Sequence, residues 1–262
     1  MRRLLHSKVL WTSLVLTALG CALSWTLFFS EVQPPKPPVQ SPEEVGESYD
    51  RLLSLVVDGR GQVDYPRLRE ERVALDAYLG WVAVAPLDWD DLAEPDLAFL
   101  LNAYNAWVLF GVLQNQPARS VGEHKLDFFL RQRYRIAGRW LPLHWLEHGV
   151  IRARFNEPRV HFALNCASRG CPPLLNRRYD SERLMEDLSA AEARTLEDRR
   201  YARWKGDVLE VSALFEWFAE DFEPTPEGYL RAARPEWPWS DRTRLRNLPW
   251  DWSLNQADGS GD

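Results

Sequence analysis

Cys166, Cys171 and His161 are the residues of this chain with the most distinctive chemistry. Cys166 lies five positions after His161 and five positions before Cys171. A thiolate beside an imidazole has a lowered pKa and can attack an acyl group or a disulfide. The spacing therefore predicts a Cys166 nucleophile that His161 orients or activates, provided that the turn between them brings the two side chains together.

The same two cysteines allow other interpretations. A disulfide between Cys166 and Cys171 would close a small loop in an oxidising compartment. The pair could also cycle between oxidised and reduced forms, although four residues separate the cysteines instead of the two in a thioredoxin-like motif. Two unpaired structural thiols are the remaining alternative, so the sequence leaves the state of Cys166 open.

A zinc-peptidase pattern occurs in the helix that is predicted to follow Pro142. His144, Glu147 and His148 have the H-x-x-E-H spacing of inverted zinc peptidases, and residues four apart share a helix face. No downstream carboxylate can be identified as a third ligand. We therefore expect no metal or other cofactor, and zinc at His144 and His148 is the alternative.

The same helix supplies candidate ligand-binding residues. Glu147 and Arg152 are expected to pair or to line a cleft, and the planar guanidinium of Arg152 could hold an anionic ligand. His148 is expected to pack against the segment that carries His161 and to assist catalysis there. Ser168, in the turn after the candidate nucleophile, adds a hydroxyl group to the same predicted site.

Asn102 and Asn105 lie in a predicted helix, residues 95–113, that is apolar on nearly every side. Amides buried in such a helix must find hydrogen-bond partners. Asn105 is a candidate catalytic residue and Asn102 a candidate ligand-binding residue. The alternative is that both amides tie the helix to a neighbouring loop.

Hydrophobic periodicity and breaker residues predict the elements that position these side chains. Ser41 and Glu44 form a capping box at the start of the first helix. Helices are expected at residues 41–59, 68–79, 95–113, 144–154, 181–199 and 212–221, and short strands at 61–65, 159–165 and 208–211. This pattern predicts a helix-rich α+β domain with a small mixed or antiparallel sheet.

A membrane anchor is predicted at the N-terminus. Residues 9–29 carry no charge, and at about 1.5 Å per residue they can span the ~30 Å hydrocarbon layer. Basic residues lie within 1–8 and Glu31 follows the segment, so the positive-inside rule places residues 1–8 in the cytoplasm. We expect a single-pass protein of the inner (cytoplasmic) membrane whose domain faces the periplasm or the extracellular side. A cleaved signal peptide, or a lipoprotein signal at Cys21, is the alternative.

The remaining chain divides by composition. Residues 30–44 are proline-rich and predict an extended stalk, residues 45–252 form the predicted globular domain, and residues 253–262 are expected to be a flexible tail. The net charge of −6 makes nucleic acid an unsuitable partner. The expected partners are the membrane, through residues 9–29, and an envelope protein, peptide or glycan; the oligomeric state is not predicted.

Tryptophan is abundant, with 13 residues in the chain. Such large side chains bury much surface and indicate a folded domain. Four of them lie near the C-terminus: Trp237, Trp239, Trp250 and Trp252. They are expected either to wrap the domain or to rim a carbohydrate or peptide groove.

Two motifs carry a family resemblance. Residues 101–106 (LNAYNA) and 160–174 (VHFALNCASRGCPPL) resemble the family catalogued as domain of unknown function 547. Residues 63–65, 146–152 and 215–218 add to the resemblance, which extends over about residues 47–235. It implies a bacterial member of that family and no established activity. The order of a buried helix and a later segment bearing histidine also resembles papain-like and transglutaminase-like folds, without a cysteine on the helix.

Two classes of function are therefore predicted. The first is a hydrolase or acyl transferase of the cell envelope that uses Cys166 and His161. The second is a non-catalytic binding module whose Cys166–Cys171 disulfide shapes a loop, with a thiol-disulfide redox partner as an intermediate case.

Overall fold

The computed structural model of the chain describes residues 29–115, 120, 122 and 126–258. The predicted cytoplasmic tip and nearly all of the predicted membrane helix lie outside these residues, as do the last four residues of the predicted tail. The helices, numbered in chain order, are α1 (Pro42–Val56), α2 (Tyr65–Glu70), α3 (Val73–Val82), α4 (Glu94–Asn115), α5 (the π-helix Leu126–Arg131), α6 (residues 143–155), α7 (Leu184–Glu197), α8 (Leu214–Trp217) and α9 (Pro226–Ala233). Pro158–Phe162 and Ala219–Asp221 are 3₁₀ helices.

The strands form two small mixed sheets within the described residues, and the predicted α+β class is confirmed. The strands are β1 (Ser30–Val32), β2 (Gln132–Ile136), β3 (Arg139–Pro142), β4 (Ala202–Lys205), β5 (Val208–Val211) and β6 (Arg244–Asn247). In the first sheet β2 pairs in parallel with β1 and antiparallel with β3. In the second, β5 pairs antiparallel with β4 and in parallel with β6.

Helix α1 begins as predicted. The Ser41 side chain accepts a hydrogen bond from the Glu44 N–H, and the Glu44 carboxylate accepts one from the Ser41 N–H at 2.8 Å. The helix ends at Val56, three residues before the predicted end, because Val57 is already extended and forms a bridge with Val63.

Helix α4 is the centre of the main core. Sixteen of its 22 residues are buried, which agrees with its apolar surface on every side. Among the described residues it is also the one helix long and apolar enough to cross a membrane, yet 89% of its most apolar window is buried inside the protein. Helix α4 is therefore a core helix.

Helix α6 confirms the helix predicted after Pro142 and contains an irregular centre. Leu143–Trp145 and Ala153–Phe155 are α-helical, whereas Leu146–Arg152 has the wider π-helical winding. Such π segments are rare and frequently lie at functional sites. Here the segment carries Glu147, His148 and Arg152.

The strand predicted at residues 159–165 is wrong. Pro158 starts a 3₁₀ helix, and the Glu157 side chain caps it by accepting a hydrogen bond from the Arg159 N–H at 3.0 Å. Beyond this turn the Asn105 amide donates to the Ala163 carbonyl and accepts from the Asn165 N–H. A side chain of α4 therefore satisfies backbone groups that a neighbouring strand would otherwise have paired.

Both ends of the described chain are tied into the fold. Residues 30–32, assigned to the stalk from sequence, form β1, and Glu31 pairs with Arg133 at 2.7 Å. Residues 250–257, here called the C-terminal strap, cross the loop that contains the two cysteines. The Asn255 N–H donates to the Ala167 carbonyl at 2.9 Å, and the Val63 N–H donates to the Asn255 carbonyl at 2.9 Å. The expected flexible tail is thus hydrogen-bonded at least as far as Ala257, because its backbone supplies partners for buried groups of the loop.

Candidate functional site

A cavity of about 300 Å³ lies where α4, α5, α6, α8, the cysteine-containing loop and the C-terminal strap meet. Most of its lining is apolar or aromatic. The lining residues are Tyr104, Phe129, Leu130, His144, Glu147, His148, His161, Leu164, Cys166, Cys171, Pro172, Leu214, Trp217, Phe218, Trp250 and Trp252. Five of the nine residues predicted to form a site are among them, namely Cys166, Cys171, His161, His148 and Glu147.

One wall of the cavity is a disulfide. Cys166 and Cys171 are bonded to each other, which confirms the predicted pairing. Cys166 is partly exposed, whereas Cys171 is 5% exposed. In this oxidised state the Cys166 sulfur is not a thiolate, so the predicted nucleophile requires reduction of the bridge.

The loop between the cysteines is held from both sides. Ala167 adopts a left-handed conformation with φ of +62°, and its N–H donates to the side-chain oxygen of Asn165 at 2.8 Å. Ser168 is fully buried and its Oγ lies 3.1 Å from the Cys166 Sγ. Trp250 of the strap donates its indole N–H to the same Ser168 Oγ at 3.0 Å. Strap and disulfide are thus connected through one hydroxyl group.

His161 is oriented by a carboxylate that the sequence analysis did not identify. Its Nε2 lies 2.6 Å from Oδ2 of Asp221, and its ring stacks on Phe218 with centroids 4.1 Å apart. Burial lowers the pKa of His161 despite the nearby carboxylate. The hydrogen bonds from His161 and Arg152 hold the pKa of Asp221 well below its ordinary value, although burial acts in the opposite direction. An ionised Asp221 requires a donor, so we assign the proton of neutral His161 to Nε2.

Arg152 is committed to protein acceptors. Its guanidinium donates to both oxygens of Asp221, at 2.5 and 3.0 Å, and to Glu220 at 2.7 Å. It also donates to Nδ1 of His148 at 2.5 Å and lies over the ring of Phe218. The predicted role of Arg152 in holding an anionic ligand has little geometric support, because two carboxylates already neutralise it.

Glu147 lines the cavity and has a raised pKa. Burial raises its pKa to about 7, against the opposing effects of a hydrogen bond from Tyr104 and the charge of Arg152. The Tyr104 hydroxyl donates to Oε2 of Glu147 at 3.2 Å. A carboxyl group with a pKa near neutrality can exchange a proton with a bound molecule.

The two histidines of α6 share a face, as their spacing predicts. The rings of His144 and His148 have centroids 4.1 Å apart. Burial, the neighbouring His144 and Arg152 lower the pKa of His148 to about 4, and burial also lowers the pKa of His144. Within the described part of the chain no three His, Cys, Asp or Glu side chains are grouped as metal ligands.

The two predicted asparagines bind backbone instead of lining the cavity. Asn102 donates to the carbonyl of Tyr179 and accepts from its N–H, both at 2.8 Å. Asn105 makes the two equivalent bonds to Ala163 and Asn165 described above. Their geometry is that of the tie between helix and loop that the sequence analysis gave as an alternative.

The aromatic rim of the cavity combines two distant parts of the chain. Trp217 packs against Trp250 in a tilted arrangement and stacks with Trp252, at centroid distances of 4.7 and 6.1 Å. Trp237 and Trp239 instead pack around Trp204 on the second sheet. The sequence analysis treated the four C-terminal tryptophans as one group, whereas only Trp250 and Trp252 line the cavity. The difference depends on where the strap crosses the cysteine loop, which the sequence pattern does not show.

Comparison with known proteins adds one finding. No curated protein and no solved structure matches the chain. Residues 90–195 match the family model described as "Protein of unknown function, DUF547", a segment that contains α4, α6 and both cysteines. This match supports the resemblance of the chain to the DUF547 family.

Proposed function

We propose that this chain is a binding module for a small, uncharged molecule with an apolar body, which occupies the cavity beside the disulfide. The observation that carries the proposal is the cavity itself. Its volume of about 300 Å³ is at the lower end of the range for ligand pockets, and an apolar lining with a few polar groups is typical of them.

The charges around the cavity favour a neutral ligand. His144, His148 and His161 all have lowered pKa values and are mostly neutral at neutral pH. The one cation described above, Arg152, already binds Asp221 and Glu220. An anionic ligand would lose its hydration in this apolar space without gaining an opposite charge, and only the ionised fraction of Glu147 would offset the charge of a cationic ligand.

Hydrogen bonding at one wall would orient the ligand. Glu147 is close to half-protonated at neutral pH, so it can present either a donor or an acceptor. A ligand with a hydroxyl or amide group could bind there while its apolar part contacts Trp217 and Leu130.

Photocrosslinking of the purified full-length chain tests this proposal. The probe is 4-benzoylbenzyl alcohol, and its anionic counterpart is 4-benzoylbenzoate. The alcohol is expected to label peptides from α6, α8 and the strap at about 10-fold lower concentration than the carboxylate, because only the carboxylate must lose a charged hydration shell. Equal labelling by both compounds, or labelling spread over the whole chain, contradicts the proposal.

A matched pair of variants gives the control. Leu130→Arg places a cation in the cavity lining and is expected to lower labelling at least 10-fold. This change corresponds to a loss of about 1.4 kcal/mol or more in binding free energy. Leu55→Arg makes the same change at a residue that is 40% exposed on α1 and does not line the cavity. It is expected to label like the unmodified chain.

A hydrolase or acyl transferase is the second candidate, and one observation favours it. Cys166 and His161 line the same cavity, and Asp221 holds His161 as a carboxylate holds a catalytic base. In the reduced chain, the rate at which chloroacetamide alkylates Cys166 is then expected to rise with pH with a midpoint below about 7. The midpoint of an ordinary thiol is about 8.5. His161→Gln should shift that midpoint upward. An ordinary thiol midpoint in the unmodified chain rules this candidate out.

Tethering in the membrane is part of the same proposal. It is supported by the uncharged length of residues 9–29 and the basic residues before them. In bacterial cells the full-length chain is expected to resist carbonate extraction and to be cleaved by protease added to spheroplasts. Release by carbonate, or protection from protease, contradicts this orientation.

A further inference from the structure

The disulfide faces the cavity with two cysteines of unequal exposure. Both cysteines line the cavity, but Cys166 is partly exposed and Cys171 is buried. A thiol bound in the cavity would therefore reach the Cys166 sulfur more readily. Cys171 would be the leaving group of such an attack.

Hydrogen-bond donors surround the sulfur that would leave. The Cys166 backbone N–H donates to the Cys171 Sγ at 2.9 Å, and the Ser168 hydroxyl donates to it at 3.5 Å. Donors directed at a sulfur stabilise its thiolate and make it a better leaving group.

The direction of the Ser168 hydroxyl follows from its other partner. Ser168 Oγ accepts the indole N–H of Trp250, so one of its lone pairs is occupied. The hydroxyl proton remains for the sulfurs, which lie 3.1 Å (Cys166) and 3.5 Å (Cys171) from the oxygen. The hydrogen bond from Trp250 of the strap therefore leaves the Ser168 hydroxyl to donate to the disulfide.

We propose that the Cys166–Cys171 bridge is a redox centre that exchanges with a thiol whose apolar body occupies the cavity. This inference rests on the proposed binding function and names the chemical class of its ligand. It assigns the attack to Cys166 and the leaving role to Cys171.

The exchange balances with two equivalents of the same thiol. The first thiolate attacks Cys166 Sγ, a sulfur–sulfur bond forms between them, and the Cys166–Cys171 bond breaks with its electron pair going to Cys171. The second thiolate attacks the ligand sulfur of this mixed disulfide and releases Cys166 as a thiolate. Two thiols are oxidised to one disulfide, the bridge is reduced to two thiols, and the protons of the two ligands end on Cys166 and Cys171. The same steps run in reverse when the reduced chain meets a disulfide of this class.

Rates of reduction of the purified, oxidised full-length chain test the exchange. Benzyl mercaptan and 2-mercaptoethanol are compared at equal thiolate concentration, with N-ethylmaleimide quenching and mass spectrometry of the peptides that contain Cys166 and Cys171. Benzyl mercaptan is expected to react at least about 10-fold faster, because its ring is buried in the cavity. The transient mixed disulfide is expected on Cys166. Equal rates, or a mixed disulfide on Cys171, overturn the proposal.

Two tryptophan variants separate binding in the cavity from general partitioning of an apolar thiol. Trp217→Ala removes a cavity-lining ring and is expected to reduce the preference for benzyl mercaptan to about 3-fold or less. Trp145→Ala removes a ring that is 56% exposed on α6 and does not line the cavity, so the preference should stay unchanged. Equal preferences in the two variants overturn the proposal.

Ser168 is a positioning residue in this scheme, and a pH profile distinguishes that role from a structural one. In the reduced chain Ser168→Ala is expected to raise the alkylation midpoint of Cys171 by about one pH unit. Ser168→Thr, which keeps the hydroxyl, should restore it. An unchanged midpoint in Ser168→Ala contradicts the assigned role.

Photocrosslinking keeps the two proposals apart. If 4-benzoylbenzyl alcohol labels the cavity but the bridge shows no preference for benzyl mercaptan, binding stands and the exchange is wrong. If neither occurs, both proposals are wrong.

Discussion

The apolar cavity and a second, polar cleft of about 360 Å³ have similar sizes but differ in the state of their ionisable side chains. In the polar cleft, Arg178 pairs with Asp50 and Arg177 binds both oxygens of Asp187 at 2.7 Å. In each pair the guanidinium and the carboxylate neutralise each other and share hydrogen bonds. In the cavity, Glu147, His144, His148 and His161 are shifted towards their neutral forms, although His161 lies 2.6 Å from Asp221. Paired charges hold a fold together, whereas groups with perturbed protonation are characteristic of functional sites.

The largest expected effect is on the polar side of this comparison. Asp187 has a side chain only 2% exposed and accepts two hydrogen bonds from Arg177. Asp187→Asn should lower the free energy of unfolding by about 3 kcal/mol, because Arg177 loses its buried partner. Urea unfolding followed by tryptophan fluorescence measures this change. Cavity labelling by 4-benzoylbenzyl alcohol under native conditions should be unaffected; a loss of labelling would show that the two regions are coupled.

Asp221→Asn is expected to have the next largest effect, because Asp221 pairs with Arg152 and contacts the cavity-lining His161. Both His161 and Arg152 donate to Asp221, so an asparagine would face one of them with its own N–H groups. The expected loss is about 2 kcal/mol, since Asp221 is 25% exposed and water can replace part of the interaction.

Glu220→Gln is the control for this prediction. Glu220 also pairs with Arg152, but its side chain is 80% exposed. The change should cost less than about 0.5 kcal/mol. Similar losses for the two variants would mean that Asp221 contributes no more than a surface ion pair.

Much of the fold was predictable because local signals coincide with tertiary structure. The capping box of Ser41 fixes the start of α1, and the apolar surface of α4 requires burial. Strand β5, with Val208 and Val211, lies where it was predicted. The 3₁₀ helix at Pro158–Phe162 was missed, because the backbone that follows it, at Ala163 and Asn165, binds the Asn105 amide of α4 about 60 residues away instead of a neighbouring strand.

The residue types of the candidate site were predictable, but the side chains that hydrogen-bond to them were not. Cys166, His161, His148 and Glu147 do line one cavity. Tyr104 and Asp221 were not identified, since neither lies near these residues in sequence and Asp221 follows an ordinary helix pattern. The part of the strap that follows Trp252 was also not predicted. Its polar sequence resembles a free tail, and only the buried carbonyl and amide groups of the cysteine loop explain why it is ordered.

The pH dependence of stability sharpens the comparison at Glu147. Its pKa is about 7 in the folded chain against an ordinary value of 4.5, so folding favours the protonated form. The stabilisation by protonated Glu147 is complete below about pH 4.5 and is lost as the pH rises through 7. Between pH 4.5 and 7.5 the free energy of unfolding of the unmodified chain should therefore fall by up to about 2 kcal/mol relative to that of Glu147→Gln.

The variant comparison is necessary because the histidines act in the opposite direction. His148 has a pKa of about 4 in the folded chain, so its contribution is present above pH 6.5 and is lost as the pH falls towards 4. Denaturant unfolding of both proteins at each pH isolates the Glu147 contribution. A difference that does not change with pH would mean that Glu147 is ionised throughout this range.

Apart from the Glu220→Gln control, the smallest expected effect on stability is at the rim of the cavity. Trp217 is 47% exposed and contacts Trp250 and Trp252, whereas Trp81 lines the polar cleft and packs against Phe99 and the main core. Trp217→Ala should cost about 1 kcal/mol, because half of its surface is already in water, and Trp81→Ala about 2 kcal/mol. Labelling by 4-benzoylbenzyl alcohol should show the reverse order, with a several-fold loss for Trp217→Ala and none for Trp81→Ala. If stability and labelling fell together in both variants, the two regions would not divide structural support from ligand binding, and the cavity would be one more part of the core.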